Sequence, residues 1–179
     1  VLNDILIFID PTFHGMLPRL KRYAEGIATY VELTNRWQLE LAVMLSHIGC
    51  VAIPKETLQK ITTGIALSDD EQKMFDMHPK IAQDLISKIP RMKGIAMMIG
   101  NQQSSLGKSK LKQALSQWDP VDIGSHLLKV VIDFDRMITS GMSAEEVLSE
   151  MRIKEDVYSD IFLDALEAIT KVDQKGDVE

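Results

Sequence analysis

The sequence is poor in cysteine and in positive charge, and each shortage excludes a class of protein. Its 179 residues include one cysteine, Cys50, so an internal disulfide framework is excluded and a reducing, cytoplasmic location is expected. The formal net charge is −6 and the sequence pI is near 5.3. Because nucleic-acid-binding modules present a strongly basic face, we expect no nucleic-acid partner.

Long apolar runs are missing as well. The apolar residues at 1–9 are interrupted by Asn3 and Asp4 and stop before a proline, which makes the run too short to span a bilayer. We therefore expect no membrane insertion, and we interpret residues 1–11 as an apolar linker or interface segment. Since the sequence starts at Val1, we also expect a further segment upstream of it.

Helical periodicity is the dominant pattern that is present. Apolar residues recur at intervals of three and four, which places them on one face of a helix. The pattern predicts an all-α fold of about seven to nine helices, with one domain over 12–172 and a frayed polar tail over 173–179. Helices are predicted at about 12–33, 39–45, from 68 onward, 78–89, 95–103, 120–139, 143–151 and 155–171, with a short extended pairing at 51–53 and a loop over 102–112.

Three helix starts have specific capping signals. Ser68 with Glu71, and Ser143 with Glu146, match the capping box, in which a serine and an acid three residues later satisfy unpaired amides. Asp119 precedes a proline, which suits the first turn of a helix because its missing amide hydrogen is not needed there. In the helix predicted at 78–89, apolar residues at 81, 85 and 89 form one stripe.

The most informative motif is the stretch 45–54, which reads Leu-Ser-His-Ile-Gly-Cys-Val-Ala-Ile-Pro. It resembles a signature of the HD superfamily, whose HD-GYP branch has Leu-His-Asp-Ile-Gly-Lys-Ile-Ala-Ile-Pro at this place. The similarity continues at 19–24, at 67–79 with its His-Pro step, and at 123–140. The resemblance covers about residues 19–152 and implies an HD-domain-like helical bundle.

The resemblance also implies an activity and a context. HD-GYP proteins hydrolyse a phosphodiester, typically of cyclic di-GMP, with two or three metal ions held by imidazoles and bridged by a carboxylate. Closely spaced metals activate water and neutralise charge on the phosphoryl oxygens. The architecture of the family implies an upstream receiver domain in a bacterial two-component response regulator.

Most positions of the expected metal centre hold other residue types in this sequence. An early family histidine falls at Met16, with His14 two positions away. The degenerate site positions are Ser46 and His47 in place of the His-Asp pair, Cys50 in place of the lysine, and Gln102, Gln103 and Ser104 in place of a later His-His-Glu. Glutamine amides are poor metal ligands beside imidazoles, so this pattern predicts no catalytic residue.

The residual metal candidates are His47, His78 and Asp133. Each also has a structural interpretation: His47 as a hydrogen-bonded core histidine, His78 as a partner of local backbone at a helix start, and Asp133 as a residue that faces solvent or forms a salt bridge. We favour the structural interpretation for His47 and Asp133 and leave both interpretations open for His78. Cys50 is either a redox sensor or a small buried thiol, and we favour the thiol.

We therefore predict a catalytically degenerate HD-GYP-like signalling output or protein-interaction domain of a bacterial response regulator, without a cofactor. The expected partners are an upstream receiver domain or another protein, and a homodimer is possible. One alternative is a cyclic di-GMP phosphodiesterase with an altered iron, manganese or zinc site that uses His47, His78, Asp133 and His14. Another alternative is an inactive sensor that still binds a nucleotide.

Overall fold

The computed structural model describes residues 13–34, 36–63 and 65–176, which form a bundle of helices. The predictions for residues 1–11 lie outside the described residues, as do residues 177–179 and the side chain of His14. In the described ranges no helix is both long enough and apolar enough to cross a membrane.

The predicted all-α class is confirmed, because the described residues contain helices and no strand. Nine α-helices in this part of the chain have eight residues or more. The α-helices are α1 (Phe13–Tyr30), α2 (Arg36–Leu45), α3 (Lys55–Thr63), α4 (Asp69–Asp76), α5 (His78–Ile86), α6 (Lys93–Gly100), α7 (Lys108–Leu111), α8 (Pro120–Thr139), α9 (Ala144–Ile153) and α10 (Asp160–Gly176). Two 3-10 turns lie at Ile48–Ala52 and Leu115–Gln117.

Several local predictions differ from the structure. The extended pairing predicted at 51–53 is wrong, because Ile48–Ala52 is a 3-10 turn in which Cys50 donates its amide to the His47 carbonyl at 2.9 Å. Helix α3 was not predicted, and the short helix α7 lies within the predicted loop. Helix α10 begins five residues after the predicted start and continues to Gly176, so it includes the first part of the predicted tail.

The predicted capping signals are confirmed. Ser68 and Ser143 each form a complete capping box with the glutamate three residues later. The Asp119 carboxylate accepts the amides of Val121 and Asp122, both at 2.9 Å, at the start of α8. These contacts satisfy amides that have no partner inside the helix, and a cap of this kind is worth about 1 kcal/mol.

The core lies between α8 and the helices around it. Leu127, Leu128 and Phe134 of α8 are completely buried, and the Phe134 ring meets that of Tyr23 on α1 edge to face at 5.1 Å between centroids. Burying a side chain of this size contributes about 1.5–3 kcal/mol. Helix α6 packs on α8, α5 and α2, and it therefore links the central helix to the motif at 45–54.

Gly49 explains why the 3-10 turn packs so closely against the next part of the bundle. A β-carbon at this position would collide with the carbonyl of His78 and would also approach the amide nitrogen of Ala82 at 2.9 Å. The close approach requires glycine, since both neighbours are backbone atoms of α5. It brings the end of α2 and the first turn of α5 together.

Candidate functional site

Four of the predicted site residues come together in the interior of the bundle. Ser46 and His47 follow the last turn of α2, His78 is the first residue of α5, and Gln102 follows α6. Only 0%, 5%, 2% and 3% of their surfaces are exposed, in that order. We call these four residues the polar cluster.

Hydrogen bonds determine which ring nitrogen of His47 holds the proton. The Ser46 hydroxyl donates to the carbonyl of Val43 at 2.8 Å and lies 2.9 Å from His47 Nδ1. Because a hydroxyl has a single hydrogen and the carbonyl takes it, the serine oxygen accepts from His47. The proton of the neutral His47 ring is therefore on Nδ1.

The same reasoning applies to His78. Its Nδ1 lies 2.6 Å from the carbonyl of Phe75, which can only accept, so Nδ1 donates. Its Nε2 lies 3.1 Å from Gln102 Nε2, and that amide nitrogen also donates to the Ser46 carbonyl at 3.2 Å. An amide nitrogen has hydrogens and no acceptor site, so the lone pair of His78 Nε2 is occupied by Gln102.

Three rings stack in a row through the cluster. The His78 ring lies 4.6 Å from Phe75 and 5.4 Å from His47, measured between centroids. Burial, together with the neighbouring His78, lowers the pKa of His47 to about 3. Burial also lowers the pKa of His78, so both imidazoles are neutral at physiological pH.

Cys50 lies in the 3-10 turn next to the cluster and is completely buried. Burial raises the pKa of its thiol to about 12, because a thiolate has no solvation there. The thiolate is the form that reacts with oxidants and binds metals. The structural interpretation of Cys50 as a small buried thiol agrees with this environment, and the redox interpretation does not.

The other predicted positions do not join the polar cluster. Gln103 and Ser104 are exposed to solvent after α6. Asp133 accepts hydrogen bonds from Tyr158 at 2.9 Å, from Lys129 at 3.2 Å and from Arg136 at 2.8 Å. The structure therefore places Asp133 in a salt-bridge network toward α10, as the structural interpretation expected.

The sequence analysis missed the role of Asp135. Its carboxylate receives two hydrogen bonds from the Arg19 guanidinium of α1, at 2.6 and 3.0 Å, and it is buried. Residues two apart on a helix point in nearly opposite directions, so Asp133 and Asp135 face different neighbours.

The donor set of the polar cluster does not fit the metal centre of the HD-GYP proteins. It offers two imidazoles, one hydroxyl and one amide, but no carboxylate to bridge two ions. The lone pair of His78 Nε2, the atom through which a histidine with its proton on Nδ1 would bind a metal, accepts from the Gln102 amide. Within the described residues no group of three His, Cys, Asp or Glu side chains is arranged so that it could hold a metal ion.

A comparison with protein families gave one match that covers most of the chain. The sequence model described as "HD domain" matches residues 1–160. A comparison with curated proteins gave no significant match. The matched range includes α1 to α9 and therefore all members of the polar cluster.

Proposed function

The chain belongs to the HD domain family, a superfamily of metal-dependent phosphohydrolases, and from this membership we propose that it is a degenerate member that works without a metal centre. It serves as a signalling output or protein-interaction domain. The observation that supports the proposal best is the position of Gln102, whose amide donates to the His78 nitrogen and the Ser46 carbonyl together.

Gln102 matters because its amide nitrogen presents hydrogens, not a lone pair, to His78 Nε2 and to the Ser46 carbonyl, while its Oε1 is buried without a hydrogen-bond partner among the described residues. At this position HD-GYP proteins have a second histidine. This chain has Gln102 instead, and the NH2 group of Gln102 donates to the ring nitrogen of the first histidine, His78. The two hydrogen bonds of the Gln102 amide hold the residue after α6 against the end of α2 and the start of α5. Glutamine in place of a histidine ligand thus keeps the packing of the bundle but removes the metal-dependent hydrolysis.

The context of the domain is part of the same proposal. The resemblance of 45–54 and 67–79 to HD-GYP proteins supports an upstream receiver domain in a bacterial two-component system and a cytoplasmic location. In such a protein a change in the receiver would reach the bundle through α1. Arg19 and Asp135 join α1 to α8, so a displacement of α1 would be transmitted to the central helix.

Metal analysis and a hydrolysis assay test the absence of a metal centre. We expect the purified chain, after incubation with Mn²⁺, Fe²⁺ or Zn²⁺ and desalting, to retain well below one equivalent of metal. We also expect no hydrolysis of cyclic di-GMP above the background without protein. An active HD phosphodiesterase in the same buffers provides the positive control.

Two variants make the result specific to the cluster. His78→Gln removes the candidate ligand, and Gln103→Ala alters the exposed neighbour of the cluster as a matched control. Stoichiometric metal in the unmodified chain that is lost in His78→Gln but not in Gln103→Ala would overturn the proposal in favour of the phosphodiesterase. Calorimetric binding of cyclic di-GMP without metal would favour the nucleotide sensor instead.

A further inference from the structure

Helix α5 has an apolar stripe that faces solvent. Ile81 and Leu85 lie four residues apart on one side of α5 (His78–Ile86), and Met77 before the helix and Ile89 in the turn after it continue the four-residue spacing. The residues by which α5 packs into the core are others: His78, Pro79, Ala82 and Ile86. We call the first four residues the α5 stripe.

The stripe is exposed enough to form a contact. Met77, Leu85 and Ile89 are 58%, 43% and 44% exposed, and Ile81 is half-buried. Met74, one turn before the stripe, adds a further exposed apolar side chain. Single exposed aliphatic residues are common, but a row of them on one helix is typical of an interaction surface.

The two ends of the stripe differ in charge. Helix α4, which leads into the stripe, has four acidic residues, Asp69, Asp70, Glu71 and Asp76, and one lysine. The carboxyl end of the stripe and the segment after it have Lys88, Arg91 and Lys93, and no acidic residue occurs between Asp84 and Asp119. Within the helix, Lys80 and Asp84 pair with each other at 3.2 Å. Acidic residues therefore lie at the amino end of the stripe and basic residues at its carboxyl end.

This polarity matches a second copy of the same surface. When two identical helices meet antiparallel across a two-fold axis, the amino end of one faces the carboxyl end of the other. An axis midway between positions 81 and 85 pairs Ile81 with Leu85 of the second copy, and Met77 with Ile89. Asp76 then lies beside the segment with Lys88 and Arg91, and the antiparallel helix dipoles also attract.

We propose that the α5 stripe is a homodimer interface, in which two copies of this chain pack antiparallel along α5. The inference does not depend on whether the polar cluster binds metal. The stripe is short, because only Ile81 and Leu85 lie within α5 and Met77 and Ile89 flank it. Such an interface is at the small end of specific contacts, so we expect a dissociation constant on the order of tens of micromolar.

Sedimentation equilibrium of the chain from about 1 to 500 µM tests the proposal. We expect a reversible dimer that Leu85→Asp weakens by about tenfold or more, because the carboxylate is buried against apolar groups. Ile153→Asp is the matched control: Ile153 is 76% exposed, lies on α9 and is outside the stripe. This control should leave the dissociation constant unchanged.

Charge reversal tests the antiparallel register. Asp76→Lys or Lys88→Glu alone should weaken the dimer by about threefold to tenfold, and the loss should shrink at high salt. The double variant should restore most of the affinity, since the cross-pair of positions 76 and 88 again has opposite signs. A monomer at all concentrations, a dimer that is insensitive to Leu85→Asp, or a double variant that is weaker than both single variants would overturn the proposal.

Discussion

At the scale of single residues, the polar cluster is defined by where its protons are. The carbonyls of Val43 and Phe75 can only accept, and this determines the hydrogen positions on Ser46 and His78. Gln102 then has its amide hydrogens directed at two acceptors. Burial keeps both imidazoles neutral, and Gln102 occupies the lone pair of His78 Nε2.

Gln102→Ala should destabilise the folded state by about 1–3 kcal/mol, because it leaves the Ser46 carbonyl and His78 Nε2 buried without their donor. Urea denaturation monitored by circular dichroism measures the change in the free energy of unfolding. Gln103→Ala, at the exposed adjacent position, should change it by less than about 0.5 kcal/mol. Equal effects of the two substitutions would contradict the hydrogen-bond assignment.

At the scale of elements, the 3-10 turn at Ile48–Ala52 and helix α5 behave as one packed unit. The contact depends on Gly49, whose α-carbon lies against the backbone at the start of α5. The glycine of the HD-like motif therefore has a packing role that is separate from catalysis. This role explains why position 49 requires glycine independently of what the neighbouring positions bind.

Gly49→Ala should destabilise the fold by about 2 kcal/mol or more, since a β-carbon would overlap the His78 carbonyl and backbone cannot move aside as a side chain can. Gly94→Ala is the matched control, because a β-carbon there has no heavy atom within 4 Å and alanine favours helix α6. Thermal unfolding of both variants measures the difference. A Gly49→Ala protein as stable as Gly94→Ala would refute the close contact.

At the scale of the whole molecule, three buried histidines tie stability to pH. The pKa of His126, which accepts the Ser159 amide at 2.9 Å, is lowered by burial and by Lys129 to about 4. The pKa values of His47 and His78 are lowered by burial as well. The folded chain therefore keeps all three rings neutral at a pH where the unfolded chain protonates them.

Stability should fall as the pH falls from 7 to 5. Unfolded histidines take up protons near pH 6.5, whereas His47 and His126 in the folded chain do so only near 3 and 4, so the unfolded state binds more protons in this window. The expected loss at pH 5 is about 2 kcal/mol for each such histidine. Urea unfolding at both pH values measures it.

The histidines and the carboxylates lose their contributions to stability over different pH ranges. The lowered pKa values of Glu71 and Glu146 also stabilise the fold, but this contribution is lost only when the pH falls below their ordinary value of 4.5. NMR titration gives an independent control, since the rings of His47 and His126 should not titrate between pH 7 and 5. A free energy of unfolding that is equal at both pH values would contradict the buried neutral state.

Much of the fold could be predicted because its signals are local. The capping boxes at Ser68 and Ser143 depend on residues three apart, and the long helix α8 has its own cap and apolar face. Helix α3 was missed because its nine residues, Lys55–Thr63, have few apolar side chains and two threonines at the end. Its burial of Leu58 depends on neighbours far along the chain.

The site could be predicted only in part, because it depends on which residues meet. The replaced positions at 46–47 and 102–104 were visible in the sequence, but Gln103 and Ser104 lie in solvent while Gln102 is buried. The apolar stripe of α5 was also visible. Its exposure was not, since a period of about four residues identifies one side of a helix and does not say whether that side faces the core.

The sequence by itself determined the helical class, the capped helix starts and the positions at which the motif differs from that of the HD-GYP proteins, because caps, periodicity and residue identity act within a few positions. Only the tertiary structure decided that Gln102 donates to Ser46 and His78 and that Asp135 binds Arg19. It also decided that Asp133 accepts from Tyr158, outside the polar cluster. The physical reason is separation along the chain: Gln102 and Ser46 are 56 positions apart, and packing of α2, α5 and α6 brings them within hydrogen-bonding distance.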